Sequence, residues 1–471
     1  RAGGPGRRRV GGRRSRTIVL RFVVALAAAL ARARAMSAVS AKRAVTTPPR
    51  TVCVIGAGAG GLVAAAEMRA AGLAVRVYEK ADTVGGIWRN GGAVAYAGLR
   101  TNLPHQIMAY KDYPFQARRS FVTTSDVTDY LEAYAQDQNL LGLVELRREV
   151  LTCTPGDGGW VVRSRVAGCD AVEERFDCVV VANGHYETPA RATFDGSADF
   201  PGAIEHSVDY DTPTKYTGQV VLCVGAKSSG TDIAKELVDG GARKVLVADS
   251  SCGQREVYPG NDALVRVPFV ASLGGDGSVT FGDGSKEPKV DTVIECVGFE
   301  YNFPFFAPEV ISARGRAVEP LWEHAFHTEH ADSLVFLGVP HSVVPFPLMQ
   351  VQAILAAAVF SLRVRLPPVD ERRASEAAHF ALLKRRRDAH FFGDKQWTYC
   401  EHLIELAEVE KDEAARWRAL IEANRGVYDH VKTKRPAFPG APDDYRNLEY
   451  TVDRDASMWK CLNEDAVPIT S

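Results

Sequence analysis

Two glycine-rich turns, GAGAGG at Gly56–Gly61 and GAKSSG at Gly225–Gly230, dominate what this 471-residue chain can become. Each follows a short apolar run, Thr51–Ile55 and Gln219–Val224, and each leads into a helix-forming stretch. A strand entering a helix through such a turn is the opening of a βαβ unit with an anion-binding helix start. Two such openings predict an α/β fold with two Rossmann-like dinucleotide-binding domains. The simplest arrangement inserts the smaller in the larger: residues 51–205 plus 300–435 form a discontinuous first domain and 206–299 the second. Residues 436–471 are a C-terminal extension.

The remaining elements follow from periodicity and turn chemistry. After the first turn, a helix to about Ala71 and a strand ending at Glu79 are expected. Ser125–Gln138 reads as a helix capped by Thr124 or Ser125. Trp160–Val166 and Arg175–Ala182 read as strands, as do Lys244–Ala248, Val290–Val297 and Val335–Gly338. Gly274–Ser285 is a hairpin region. Leu348–Phe360, Asp370–Asp388 and Glu401–Asn424 are helical by composition.

Charge narrows the partners. Of 57 basic residues, 13 lie in residues 1–50, which hold no acid, so 58 acidic residues face 44 basic ones in the rest. A body of that sign is not expected to bind nucleic acid. The leader's one apolar run, Phe22–Ala31, is too short to span a bilayer. It reads as a secretory signal, as an organelle transit peptide, or as sequence upstream of initiation at Met36. Cytoplasmic placement is expected, with organelle or secretory targeting the alternative if residues 1–35 are translated. The nine cysteines are scattered singly, with no Cys-x-x-Cys, so neither a metal site nor a redox dithiol is expected. Cys53, Cys178, Cys223 and Cys296 lie in strand-like runs, as small buried hydrophobes do.

In the first turn, Gly56 permits the tight bend, Gly58 lets backbone approach a pyrophosphate, and Gly61 allows close helix–strand packing. Glu79, 23 residues after Gly56, ends the next strand, where a carboxylate accepts ribose hydroxyls. Lys80 and GGIW, Gly85–Trp88, follow, and then YAGLRTNLPHQIMAYKDYPF, Tyr96–Phe115. This succession resembles the flavin-containing monooxygenases. The resemblance implies FAD at Gly56, Gly58, Gly61, Glu79, Lys80, Gly86 and Trp88, with Thr101 and Asn102 lining the flavin. Asn102 is then the candidate catalytic residue, since an amide holds a flavin edge without exchanging protons; a turn-forming Asn is the alternative. Trp88 reads equally as a core aromatic. His105 stands where plant-type members carry Arg or Lys.

Between the turns, FPGAIEHSVDY matches the family fingerprint F-x-G-x-x-x-H-x-x-x-Y through Phe200, Gly202, His206 and Tyr210. The resemblance implies a role in coupling the two domains. Baeyer–Villiger relatives carry Trp where Tyr210 stands, so Tyr210 favours heteroatom oxygenation. The second turn keeps Gly225 and Gly230 but replaces the middle glycine with Lys227, followed by Ser228 and Ser229. Its resemblance to the family implies NADPH there. Asp249, 24 residues after Gly225, favours the free ribose of NADH and repels a 2′-phosphate; Ser250, Ser251 and Arg255 are nearby phosphate partners. Gln350, in a segment resembling one beside the flavin, is either near the cofactors or on a helix surface. Asn183–Pro189 and Asp291–Phe305 resemble the crossovers between the domains.

The resemblance covers residues 50–430, with plant and algal S-oxygenating members nearest. It implies that NADPH reduces FAD, O₂ adds as a C4a-hydroperoxyflavin, and a thioether sulfur or amine nitrogen takes one oxygen atom. The alternatives are Baeyer–Villiger oxygenation, N-hydroxylation of a primary amine, decarboxylation of a 2-oxo acid, and a catalytically silent flavoprotein.

Overall fold

From Val52 to Ile55 the strand Thr51–Ile55 is apolar on both faces, which suits a strand covered from both sides. A computed structural model describes residues 49–89 and 95–464, and in it this strand lies between Ala74–Tyr78 and Cys178–Val181, parallel to both. The leader readings at Phe22–Ala31 and Met36, and the last seven residues of the C-terminal extension, lie outside the described residues. Helix α1, Ala59–Ala70, makes the crossover between the first two strands. The full sheet has seven strands in the order Leu321–Trp322, Phe326–His327, Leu334–Phe336, Cys178–Val181, Thr51–Ile55, Ala74–Tyr78, Val144–Glu145.

Side-chain alternation divides the core. Val52 and Val54 join the cluster on the α1 face, together with α2, Thr124–Asp137. Cys53 and Ile55 join the opposite cluster with Cys153, Trp160 and Phe176 of a three-stranded antiparallel sheet. A second, six-stranded sheet has the order Glu256–Tyr258, Asn261–Val267, Lys244–Ala248, Val220–Val224, Thr292–Glu295, Ala203–His206. All of its strands fall in the chain between Cys178–Val181 and Leu321–Trp322 of the first. Here α3, Ser228–Asp239, plays the part of α1. The two sheets and their crossover helices form an α/β fold of Rossmann-like units.

Beyond the second sheet, α4 (Pro345–Phe360) packs against α1 and is buried on nearly every side. Helices α5 (Val369–Ala381), α6 (Gln396–Leu406) and α7 (Lys411–Lys434) follow. The chain then folds back as a short turn, Asp444–Asn447, and a hairpin of Tyr450–Asp453 with Met458–Cys461. No described helix is long and apolar enough to cross a membrane.

Several sequence expectations are corrected. The run Arg175–Ala182 is two strands in two sheets, Ala171–Phe176 and Cys178–Val181. Asp177 makes the break, its carboxylate accepting the Thr51 N–H at 2.6 Å and hydroxyl at 2.8 Å. Glu401–Asn424 spans two helices. They part at Glu408, whose φ is +49°, and the Arg363 guanidinium donates to the freed carbonyls of Ala407 and Glu408. The cap of α2 is Thr123, in a reciprocal capping box with Asp126. The stretch Asp370–Asp388 is not one helix: α5 ends at Ala381, and Arg386–Asp388 form a separate 3-10 turn.

The two glycine turns repeat one another in backbone detail. Gly56 and Gly225 have φ of +102° and +113°, and a Cβ on either would lie 2.6 Å from a carbonyl oxygen of the next strand's exit, Ala182 or Cys296. Gly61 and Gly230 sit where a Cβ would come within 1.8 and 1.7 Å of the Gly56 and Gly225 carbonyl oxygens. That contact is backbone against backbone, and nothing flexible can yield. Gly61→Ala and Gly230→Ala are each expected to lose about 3 kcal/mol or more in urea unfolding, at the upper end of overpacking costs. Gly142→Ala, where a Cβ meets nothing within 4 Å, serves as the control and should stay within ~0.5 kcal/mol of the parent.

Candidate cofactor site

The first turn is built around the Glu79 carboxylate. It accepts the Ala57 N–H at 2.7 Å through one oxygen and the Ala81 N–H at 2.8 Å through the other, and it is buried at the strand end. The Gly85 N–H donates to the Ala57 carbonyl, which brings the second glycine pair across the first. A Cβ on Gly58 would lie 3.4 Å from the Gly86 Cα. Glycines therefore face each other across a slot that side chains would fill. Helix α1 has no side-chain cap, and its first internal bond runs from the Leu62 N–H to the Gly58 carbonyl. Its leading amides are thus free to meet an anion, and the slot fits a dinucleotide pyrophosphate.

Other residues expected at this site have structural duties. Trp88 packs partly buried against the core, and its carbonyl accepts the Thr128 hydroxyl of α2. Lys80 forms an exposed ion pair with Glu187. Thr101 is buried, its hydroxyl oxygen accepting the Val122 N–H at 3.1 Å. Gln350 is buried and not on a helix surface. Its carbonyl oxygen accepts the Lys111 N–H at 2.8 Å and its amide donates to Glu67 at 3.0 Å, so both ends brace α1 against α4 and the neighbouring loop.

Asn102 is where the two units meet. It is partly buried on the loop after Thr101, and its side-chain amide donates to the Ser228 hydroxyl at 3.2 Å. Ser228 is the first residue of α3. A few residues on, His105 is buried against Phe115, with ring centroids 5.4 Å apart. Burial, aided by the Arg454 cation, pushes its pKa down to about 4, so no positive charge stands there at neutral pH.

In the second turn Lys227 takes the cap position that Gly58 takes in the first. Its φ of −92° is ordinary for any residue, so lysine brings no backbone strain. Its side chain reaches solvent. Partial burial of the ammonium, then the Arg316, Arg387 and Arg385 cations, lower its pKa, with Asp388 opposing them. Ser228 and Ser229 are exposed beside it. Lysine and hydroxyl donors at an uncapped helix start fit a second, anionic ligand.

Asp249 does not offer a bare carboxylate. Arg266 donates to one of its oxygens at 3.0 and 2.6 Å, while the Ser251 N–H and hydroxyl donate to the other at 2.9 and 2.8 Å. Partial burial works to raise its pKa, but Ser251 and Arg266 hold it below the usual carboxylate range. Arg255, expected as a phosphate partner, is paired with Glu287 at 2.8 Å. Arg266 escaped the sequence reading because only strand register reveals it: it lies beside Val247, two residues before Asp249.

The fingerprint segment has a clear mechanical form. A Cβ on Gly202 would lie 2.6 Å from the Phe200 ring and 2.7 Å from the Asp291 carbonyl oxygen. His206 is fully buried, its Nδ1 accepting the Val208 N–H at 3.1 Å. That leaves Nε2 to donate to the Gly298 carbonyl at 3.1 Å. Tyr210 donates to Glu236 of α3 at 2.8 Å and meets Tyr96 edge-on. His206 thus joins the edge strand to the return segment, and Tyr210 joins the fingerprint to α3.

The depressed histidines make stability pH-dependent. His105, His185, His327 and His341 are pushed down to about 4, burial being the first cause in each. An unfolded histidine titrates near 6.5, so between these values the unfolded chain binds more protons. The contribution is whole above about pH 6.5 and is lost as pH falls toward 4. The free energy of urea unfolding should therefore fall from pH 7 to pH 5, and His105→Gln should flatten part of that slope.

Comparison with known proteins agrees with the geometry. The family described as flavin-binding monooxygenase-like matches residues 49–254. Flavin-containing monooxygenase FMO GS-OX5 of Arabidopsis thaliana is 33% identical over 426 residues, 83% of this chain and 92% of that protein. The S-allyl-L-cysteine S-oxygenase of Allium sativum has a TM-score of 0.78 at 31% identity, with 86% of this chain and 96% of that one covered. Tmm from a Pelagibacter species shares the fold at 20% identity, with a TM-score of 0.74 over 88% and 96% of the two chains. Identity of this degree along most of both chains, with two dinucleotide turns in place, means that this protein belongs to the flavin-binding monooxygenase-like family.

Proposed function

We propose that this protein is a flavin monooxygenase that uses NADPH and O₂ to oxygenate a soft heteroatom, a thioether sulfur before an amine nitrogen. The observation that carries the reading is the 3.2 Å contact between Asn102 and Ser228, which brings the loop of the first unit to the helix start of the second. Gly56, Gly58, Gly61, Glu79 and Gly86 would hold FAD, and Gly225, Lys227, Ser228, Ser229 and Gly230 would hold NADPH. In this reading residues 51–205 and 300–435 serve the flavin and 206–299 the nicotinamide. FAD, when bound and reduced, supplies activation of O₂, one atom going to the substrate and the other leaving as water.

The chain's own part is to bind, orient and keep water out. Asn102 would present an amide at the junction, a group that donates and accepts without changing charge. A sulfur lone pair needs no enzymatic base, and Asn102 and Ser228 offer none. Burial pushes the pKa of His105 and of His206 down, in His206 against the opposing pull of the Gly298 carbonyl, which suits structural rather than acid–base work. Heteroatom oxygenation is supported by Tyr210 in the fingerprint, and the preference for sulfur by the likeness to the S-oxygenase from Allium sativum. The NADPH preference is supported by Arg266, which neutralises Asp249 and adds a cation where a 2′-phosphate would come.

The deciding measurement is the absorbance spectrum of the purified protein during anaerobic reduction by NADPH and reoxidation in air, with and without a thioether. A bleached flavin band, with sulfoxide formed in proportion to NADPH, is the expected result; no bound flavin, or no product from thioether or amine, overturns the reading. Asn102→Ala should keep FAD yet divert most NADPH to hydrogen peroxide. Undiminished sulfoxide yield would remove Asn102 from the site. Asp249→Ser frees Arg266 and should shift the NADPH-over-NADH ratio of kcat/KM upward by about tenfold, equivalent to ~1.4 kcal/mol.

A further inference from the structure

Helix α3 turns one stripe of residues toward the first unit. Ser228, Asp232 and Glu236 are spaced four apart, so they share a face. Ser228 receives the Asn102 amide and Glu236 receives the Tyr210 hydroxyl. Glu236 also lies against the backbone of the first-unit loop, since a Cβ on Gly98 would come within 2.0 Å of its carboxylate. The middle position, Asp232, is held at 2.8 Å by Arg446, a residue of the C-terminal segment.

Arg446 is 5% exposed, and each nitrogen of its guanidinium has its own task. Nη2 pairs with Asp232, Nη1 with Asp443 at 2.7 Å, and Nε donates to the Thr101 carbonyl at 3.2 Å. Thr101 immediately precedes Asn102. The Arg446 carbonyl in turn accepts from Arg100 at 2.8 Å. The rest of the segment grips the same loop. Arg435, at the end of α7, donates to the Asn102 carbonyl, and Arg454 donates to the carbonyls of Gln106, Tyr110 and Lys111. Glu449 accepts the Ser120 N–H at 2.9 Å.

We propose that the C-terminal segment is a strap and Arg446 its positioning residue, which sets the Asn102 loop at a fixed distance from α3 and thereby couples NADPH oxidation to oxygen transfer. The strap's effect on catalysis rests on the function proposed above; its effect on the loop does not. The planar fork is what the task requires, because one side chain must reach a carbonyl and two carboxylates in different directions. The groups facing it are Asp232, Asp443, the Thr101 carbonyl and the Tyr445 ring, 5.3 Å from the guanidinium carbon. Lysine has no such fork and would satisfy fewer of them. Arg446 touches no reacting atom in this arrangement and acts only through the loop.

Hydrogen–deuterium exchange of the protein without NADPH reads the loop directly. Arg446→Met should speed exchange in residues 96–108 by about tenfold while the buried strand 178–181 exchanges as in the parent. Arg446→Lys should restore part of the protection. In turnover with a thioether, the hydrogen peroxide formed per NADPH should rise, with FAD content unchanged. Parent-like exchange at 96–108 in Arg446→Met overturns the strap, and so does acceleration spread evenly over the whole chain. If Arg446→Met does not fold, Asp232→Asn removes the charge that pairs with Arg446 on α3 and, with it, weakens the longer Tyr96 hydroxyl contact at 3.4 Å. It should raise peroxide formation, and parent-like coupling in that variant overturns the bridge. A parent protein that forms no oxygenated product, with the loop still loosened in Arg446→Met, would discard the proposed function and keep the strap.

Discussion

Everything at the two dinucleotide turns depends on a backbone contact that leaves no room for a methyl group. The Gly56 and Gly225 carbonyls lie against Gly61 and Gly230 so closely that a Cβ would stand under 2 Å away. This contact seats each helix on its strand and turns its unpaired amides toward the end of the sheet. Once it is made, the Gly56 and Gly225 N–H groups reach the Tyr78 and Ala248 carbonyls, at 2.8 and 2.9 Å, and fix the entry to each turn. The anion-binding capacity of both units is therefore a consequence of packing. In the first turn the buried Glu79 carboxylate completes it by accepting the Ala57 and Ala81 N–H groups.

Charge and hydrogen bonding do organise the junction between the units. The stripe Ser228, Asp232 and Glu236 collects an amide, a guanidinium and a phenol from three separate stretches of chain. Two of these contacts involve partly buried carboxylates, whose removal from water is offset only if the partner stays in place. Glu236 shows the cost: burial raises its pKa, and the Tyr210 hydrogen bond works against that rise. The junction is accordingly specific in geometry, because any displacement leaves a carboxylate without its donor.

Local order was legible in the sequence, and long-range pairing was not. The strands at 51–55, 220–224 and 244–248 and the helices after each turn followed from periodicity and glycine placement. The fold class followed from their alternation. Asp177 could not be read as a breaker, because its effect comes from capping Thr51, 126 residues earlier. The split between α6 and α7 arises the same way, from Arg363 stabilising the carbonyls at the gap. At the site, the glycines, Glu79 and Asn102 were visible as motif. The bracing role of Gln350 was not legible, because its partners, Lys111 and Glu67, are far from it in sequence. Arg266 and Arg446 were missed for that reason too, since neither belongs to a local pattern.

Lys227, in place of the middle glycine of the second turn, has a geometric explanation. Gly58 and Lys227 hold the same position with similar extended backbone, so conformation does not demand glycine at either. What limits side-chain size in the first turn is the opposite wall: a Cβ on Gly58 would already touch the Gly86 Cα at 3.4 Å, and one on Gly86 would crowd the Gly58 Cα at 3.0 Å. No such wall closes on Lys227. Its surroundings are Arg316 and the Arg385–Asp388 loop, and its side chain reaches solvent. A lysine there costs little packing and places its ammonium beside other cations, which is favourable only when an anion is at hand. The first turn is thus shaped by close backbone packing, and the second by cationic and hydroxyl side chains.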